Sequence, residues 1–167
     1  MPNHCSNRVS FYGDSESEIQ KLHDIFSKGL ENDDEVDTGT VFGHFIPEPD
    51  WPKTPLTEST VKQYSFSDPR GEVGECPEMI EHENPFYAGL RFKSTNRVDD
   101  RWYDWRNQNW GTKWDVYSCC NNWDSETPSE EFSASFCTAW SPMSEGWMAE
   151  VSKQFPGALL TNYYEET

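Results

Sequence analysis

The chain has 167 residues, about one domain's length, and a domain of that size buries roughly 70% of the surface its unfolded chain exposes. Thirteen Lys and Arg against thirty Asp and Glu give a formal charge of -17, a pI near 4.4 and a mean hydropathy of -0.89, with no run of about 18 apolar residues. These values exclude a helical membrane span and argue against a protein that reads nucleic acid directly, which needs Lys and Arg to neutralise phosphates.

Residues 3–12 alternate Val9 and Phe11 with polar neighbours and stop at Gly13, which predicts a first strand. A helix is expected next. Ser15 and Glu18 form an S-x-x-E capping box, Ile19, Leu22, Ile25 and Phe26 share one face, and Gly29 gives a stop. Residues 31–37 hold five acids and no base, a solvated loop. The short apolar run at 41–46 reads as a strand, and Pro47, Pro49, Pro52 and Pro55 forbid ladder structure beyond it. Residues 38–100 read as an insertion of uncertain structure, with one more strand at 86–92.

Seven of the eight Trp lie from Trp102 to Trp147, which places an aromatic core there. Residues 101–109 read as a short helix closed by Gly111, and 114–120 as a strand followed by a polar loop at 121–130. The clearest strand follows, with Phe132, Ala134, Phe136, Thr138 and Trp140 on one face and Ser133, Ser135, Cys137 and Ala139 on the other. Ser141 as N-cap and Pro142 at the first helical position open a helix with Met143, Trp147, Val151 and Phe155 on one face, stopped by Pro156-Gly157. A last strand covers 158–164. Without the insertion the order is β-α-β-β-α-β. This predicts a single α+β domain over 1–167, a ferredoxin-like split β-α-β sandwich with two helices on one face of a four-stranded antiparallel sheet and the long insertion after the first helix.

Cys5, Cys76, Cys119, Cys120 and Cys137 are odd in number, contain no C-x-x-C pair and follow no apolar leader, which points to reduced thiols and a cytoplasmic setting. The four His are scattered, and no His/Cys spacing suits zinc. Glu81-His82-Glu83, and Asp99-Asp100 with Asp104, are the carboxylate groups from which a divalent-ion site would have to be built. The chain has no G-x-S-x-G elbow, no phosphate-cradling Gly loop and no G-x-G-x-x-G. No cofactor and no resident metal are expected. Base stacking lacks the Lys and Arg it requires, and sugar stacking requires solvent-facing Trp, whereas these Trp are expected on apolar faces.

The opening Met1-Pro2-Asn3-His4-Cys5-Ser6-Asn7-Arg8-Val9, Trp102-Tyr103-Asp104-Trp105, Asn109-Trp110-Gly111-Thr112-Lys113-Trp114-Asp115, Thr138-Ala139-Trp140-Ser141-Pro142 and Tyr163-Tyr164-Glu165-Glu166 together resemble the YubB or Api-like family of plasmid and phage proteins. Relatives usually carry Trp where His4 stands, and they are expected to continue into a Gly-rich tail. The resemblance implies a ferredoxin-like fold without an iron–sulfur cluster, no catalytic residues, and a setting near antirestriction and other anti-defence genes. Within the matching blocks Gly111 and Pro142 are expected to punctuate, and Trp110, Trp114 and Trp140 to pack the core.

The negative charge is spread along the chain, with +1 over residues 1–13, -7 over 14–37, -5 over 38–100 and -6 over 101–167. A compact body coated with carboxylates imitates the potential of duplex DNA and is steered toward DNA-binding clefts. The expected function is therefore that of a non-enzymatic anti-defence inhibitor, of antirestriction or anti-CRISPR type, acting in the bacterial cytoplasm. As a DNA mimic it would occupy the nucleic-acid site of a host defence protein, itself binding neither nucleic acid nor membrane. Its expected contact residues are Glu31, Asp33, Asp34, Glu35 and Asp37 with Glu72, Glu75, Glu78, Glu81 and Glu83. The alternatives are a metal-dependent hydrolase using Glu81, Glu83 or Asp104, and a scaffold domain whose acidity only confers solubility.

Overall fold

A computed structural model describes residues 4–31, 41–62, 71–81, 90–117 and 130–166. The chain divides into two compact units, Met1–Glu48 with Arg106–Thr167, and Pro49–Trp105.

The first unit is built on strand β1 (His4–Tyr12), flanked on both sides by antiparallel neighbours, β4 (Glu131–Ala139) and β5 (Leu159–Glu166). Because β4 and β5 each run antiparallel to β1, they run in the same direction as each other. Helix α5 (Glu145–Gln154) joins them, which makes a split β-α-β unit with β1 inserted. The register pairs Phe11 with Phe132 and Leu160, and Val9 with Ala134, which gathers these apolar side chains on one face, where Asn162 Nδ2 also donates to the buried Asn7 Oδ1 at 3.2 Å. The opposite face carries Arg8, Ser10 and Tyr12 on β1, with Thr161 and Tyr163 on β5.

Among the described residues this sheet has three strands, where four are expected. Where the strand at 114–120 should lie there is one antiparallel bridge, Tyr117 to Cys137, with N–H···O bonds of 3.2 and 2.9 Å. Residues 118–120 lie outside the described residues, as does most of the loop at 121–130. Residues 114–116 do not extend the ladder because Asp115 turns its carboxylate back onto its own chain, accepting from Val116 N at 2.7 Å, a local bond of the kind that competes with strand pairing.

Helix α1 (Glu16–Glu31) follows β1 as expected and buries Ile19, Leu22 and Phe26. It runs through Gly29 rather than stopping there. Glu18 does not complete the capping box, because its Oε2 accepts from Gly157 N at 2.8 Å and ties the helix start to the turn before β5. Helix α5 starts later than predicted. Its N-cap is Ser144, whose Oγ accepts from Trp147 N at 3.0 Å, while Ser141 and Pro142 stand in the linker ahead of it.

The core is aromatic, although phenylalanine contributes more rings to it than the Trp-rich segment does. Phe11 stacks on Phe132 at 4.7 Å and meets Phe26 edge-on at 5.4 Å; Phe26 leads to Phe136, Phe136 to Phe42, and Phe42 to Trp147 at 4.8 Å. Trp110 and Trp147 are fully buried, whereas Trp102, Trp105 and Trp114 are half-buried and Trp140 is exposed.

Cys5 and Cys76 carry free thiols, and burial pushes the Cys5 thiol up. Cys137 is disulfide-bonded, which corrects the expectation of five reduced thiols. The spacing of cysteines in a sequence does not report which Cβ atoms approach each other.

The second unit contains a 3-10 turn (Trp51–Lys53), helix α3 (Glu58–Lys62) and an antiparallel pair of short strands, β2 (Met79–Glu81) and β3 (Leu90–Phe92). β3 falls within the strand predicted at 86–92; residues 82–89 lie outside the described residues. Arg101, first residue of α4 (Arg101–Asn109), is 9% exposed and organises this unit. Its guanidinium clamps the Asp99 carboxylate, with Nη2 to Oδ2 at 2.7 Å, and donates to the carbonyls of Thr54 and Trp51 at 2.8 and 2.7 Å. It also lies over the rings of Trp51 and Phe92 at 5.2 and 5.6 Å.

The apolar run at 41–46 is helical, not extended: α2 spans Phe42–Phe45. An isolated helix this short does not survive in water, so its backbone donors need outside partners. Asp115 supplies them. Its carboxylate accepts from the N–H of Val41, Phe42 and Gly43 at 3.2, 2.9 and 3.3 Å, from 72 to 74 residues away. Burial pushes the Asp115 carboxyl up in pKa, and its backbone N–H bonds, led by that from Phe42, pull the other way. Asp115→Ala strands several buried donors and is expected to cost at least about 3 kcal/mol, measured by urea unfolding. Asp115→Asn, which keeps one acceptor oxygen, should cost less.

Candidate binding surface

The predicted contact acids divide by position. Glu31 ends α1, with its side chain outside the described residues, and Asp33, Asp34, Glu35, Asp37 and Glu83 also lie outside them. Glu72, Glu75, Glu78 and Glu81 are exposed, all in the second unit. The backbone there is a turn in which Glu75 N donates to Glu72 O at 3.1 Å and Leu56 N to Glu75 O at 2.9 Å. Glu75 and Glu78 line a cleft of about 450 Å³ with Cys76 and Lys93. Lys93 bonds Glu78 at 2.6 Å, which holds that carboxyl below its ordinary range, while Glu81 closes β2.

A larger cleft, about 860 Å³, opens at one end of the three-stranded sheet and was not anticipated. Asp14, Glu130 and Glu131 line it with Tyr12 and Leu159. The chain is tightly drawn together here: Gly13 N donates to Glu130 O at 3.0 Å, and a Cβ on Gly13 would lie 2.0 Å from Gly157 O. The sequence signal for this cleft is the pair of turn markers, Gly13 and Pro156-Gly157, each beside a strand end.

The metal reading gains nothing from the described residues, among which no group of three or more His, Cys, Asp or Glu is placed to hold an ion. His82 and Glu83 lie outside them. Asp99 is committed to Arg101, and Asp104 is exposed on α4.

Of the residues expected to be structural, Trp110 is fully buried and its Nε1 donates to Ile46 O at 2.9 Å. Gly111 has φ +86° and follows the end of α4, where a Cβ would lie 2.5 Å from Ser144 N. Pro142 stands between β4 and α5. Trp114 and Trp140 do not pack the core. Trp140 ends the β4 alternation with φ +67° and 39% exposure, its ring centroid 6.5 Å from that of Trp114. Lys113 places its ammonium 4.7 Å from the Trp114 centroid and 5.6 Å from that of Trp140. A period-2 pattern assigns Trp140 to the buried face because it assumes that the strand continues, and the positive φ breaks that assumption.

Residues 113–167 match the family model of the ferredoxin-like domain in Api92-like protein. The match begins at Lys113 and takes in β4, α5 and β5, so it supports the Api-like resemblance and the ferredoxin-like, α+β character over that third of the chain. No curated protein matches the chain, and no solved structure does. No helix among the described residues is long and apolar enough to cross a membrane.

The use of Asp99 as an internal counter-ion is testable. Its pair with Arg101 has side-chain exposures of 5% and 6%, so Asp99→Ala leaves a guanidinium buried without its carboxylate. The expected loss is about 3–5 kcal/mol, read from denaturant unfolding followed by Trp fluorescence. An unchanged midpoint would instead leave Asp99 available as a ligand.

Proposed function

We propose that this chain is a non-enzymatic acidic binding protein of a plasmid or phage. It inhibits a host nucleic-acid-binding defence complex in the bacterial cytoplasm by occupying its nucleic-acid site as a DNA mimic. The observation that carries the reading is the inward use of arginine. Arg101 and Arg106 pair with Asp99 and Glu48 at 2.7 Å in buried or nearly buried positions, while Asp14, Glu72, Glu75, Glu81, Glu130 and Glu131 face solvent. The exterior is therefore richer in carboxylates relative to bases than the composition alone suggests. Such a surface is steered toward clefts built for phosphate, and repels nucleic acid itself.

The resemblance to plasmid and phage proteins supplies a setting in which blocking such a cleft benefits the element that encodes the protein. In a glutathione-buffered cytoplasm the Cys137 disulfide is expected to be open, and the reading does not depend on it.

The test is capture from bacterial lysate with tagged protein at low and high salt, with and without duplex DNA. Retained nucleic-acid-processing proteins that DNA or salt displaces are the expected outcome. Glu72→Lys, Glu75→Lys and Glu81→Lys together should weaken that retention about tenfold or more with no fall in melting temperature, and Asp33→Lys, Asp34→Lys and Glu35→Lys should do the same. A partner indifferent to DNA and to both triple variants would leave the scaffold reading standing instead.

A further inference from the structure

Trp140 is the point in the first unit where backbone conformation and residue type disagree most. A bulky side chain at φ +67° is an outlier, since Cβ crowds the carbonyl in the left-handed region, and such conformations persist only where their surroundings force them. Here they do. Thr112 Oγ1 donates to Ala139 O at 2.9 Å and accepts from Ala139 N at 3.0 Å, fixing the residue before. Thr138 Oγ1 donates to Ser141 O at 2.6 Å, Ser141 N to Ala139 O at 2.8 Å and Ser141 Oγ to Gly111 O at 2.6 Å, fixing the residue after.

The strain has a consequence for what the surface displays. A regular strand would send Trp140 to the face of Phe132, Ala134, Phe136 and Thr138, which is buried; the turn instead leaves the indole 39% exposed beside Trp114. Beside both rings, 4.7 Å from one centroid and 5.6 Å from the other, lies the ammonium of Lys113, which forms no ion pair among the described residues although the chain carries thirty acids. Trp114 Nε1 is buried with no acceptor among the described residues. An exposed indole and, among the described residues, an ammonium without a carboxylate and a donor without an acceptor thus meet at one corner of the fold.

We infer that the Lys113–Trp114–Trp140 corner is a binding site for a small planar ring bearing one carboxylate. The ring stacks on the indole of Trp140, and the carboxylate pairs with the Lys113 ammonium. One negative charge fits and several do not. Arg106, whose Nη1 reaches the Lys113 carbonyl at 3.5 Å, is held by Glu48 and lies over Trp110, so a second cation is not offered, and the charge of -17 opposes each further anionic group. A polynucleotide strand, which needs several bases along its backbone, is disfavoured for the same reason.

The probes are benzoate, benzamide, acetate and adenosine monophosphate, titrated against the full chain by calorimetry and saturation-transfer NMR. Benzoate should bind saturably at millimolar concentrations, about fivefold more tightly than benzamide or acetate. Lys113→Met should erase the advantage over benzamide while leaving the melting temperature unchanged. Trp140→Gly should abolish ring-dependent binding without lowering the melting temperature, since glycine takes a positive φ freely. Absence of saturable benzoate binding, or binding indifferent to Lys113→Met, overturns the inference whether or not Trp140→Gly folds. Tighter binding of adenosine monophosphate than of benzoate overturns it in favour of a nucleotide site.

Discussion

The first unit depends on the Asp115 carboxylate. Helix α2 has four residues, too few to hold itself with its one closing bond from Ile46 N to Phe42 O, and its further support comes from side chains distant in the sequence. Asp115 takes the N–H groups at its start. Its carbonyls are met as well: Trp147 Nε1 donates to Phe42 O at 3.2 Å, Gln154 Nε2 to Phe45 O at 3.2 Å, and Trp110 Nε1 to the O of the C-cap Ile46 at 2.9 Å. The two most deeply buried indoles therefore serve twice, as apolar bulk and as donors to carbonyls of α2 and its C-cap. Phe42, fixed in this way, connects the ring cluster on the sheet through Phe136 to Trp147 of α5. The Asp115 carboxyl is tolerated beside α2, although burial pushes its pKa up, because four backbone donors replace water around it.

The same economy governs the turn from α4 to α5. Gly111, Thr112, Ser141 and Ser144 exchange backbone and hydroxyl bonds so that Ser144 N donates to Trp110 O at 2.8 Å and Ser144 Oγ to Asn109 O at 2.9 Å. Small residues are required, as the 2.5 Å approach to Ser144 N at Gly111 shows. The 109–115 and 138–142 blocks, which carried much of the family resemblance, are thus two halves of one polar corner. Its products are the cap of α5 on one side and the raised Trp140 on the other.

Much of this fold was legible where the signal is local. The β1 alternation, the limits of α4, the apolar faces of α1 and α5, and the split β-α-β order each follow from periodicity or punctuation within a dozen residues. What escaped reading was what depends on a distant partner. Residues 41–46 look like a strand because a short apolar run has no period of its own, and only Asp115 makes it a helix. Ser141-Pro142 looks like a helix start, yet Ser141 Oγ is taken by Gly111 O and the cap falls to Ser144. For the candidate sites, composition revealed that carboxylates dominate but not that Asp99 and Glu48 turn inward, nor that Asp14, Glu130 and Glu131 share a cleft. Lys113 passed as one base among few, since its place beside two indoles is a fact of tertiary geometry.

A strongly acidic surface and a site for an anion are compatible because they act over different distances. At physiological ionic strength charges further apart than about 8 Å are largely screened, so remote carboxylates weigh little on a contact made at hydrogen-bond distance. They do weigh on the approach of a ligand, and their effect grows with its charge. A monoanion meeting Lys113 therefore gains a local ion pair against a modest field, whereas a polyanion meets that field once for every phosphate. Under the proposed function, the distribution that would turn nucleic acid away is the one that would draw in a cationic cleft, and the inferred ring site beside Lys113 would add selectivity for a small ring without changing the sign of the whole.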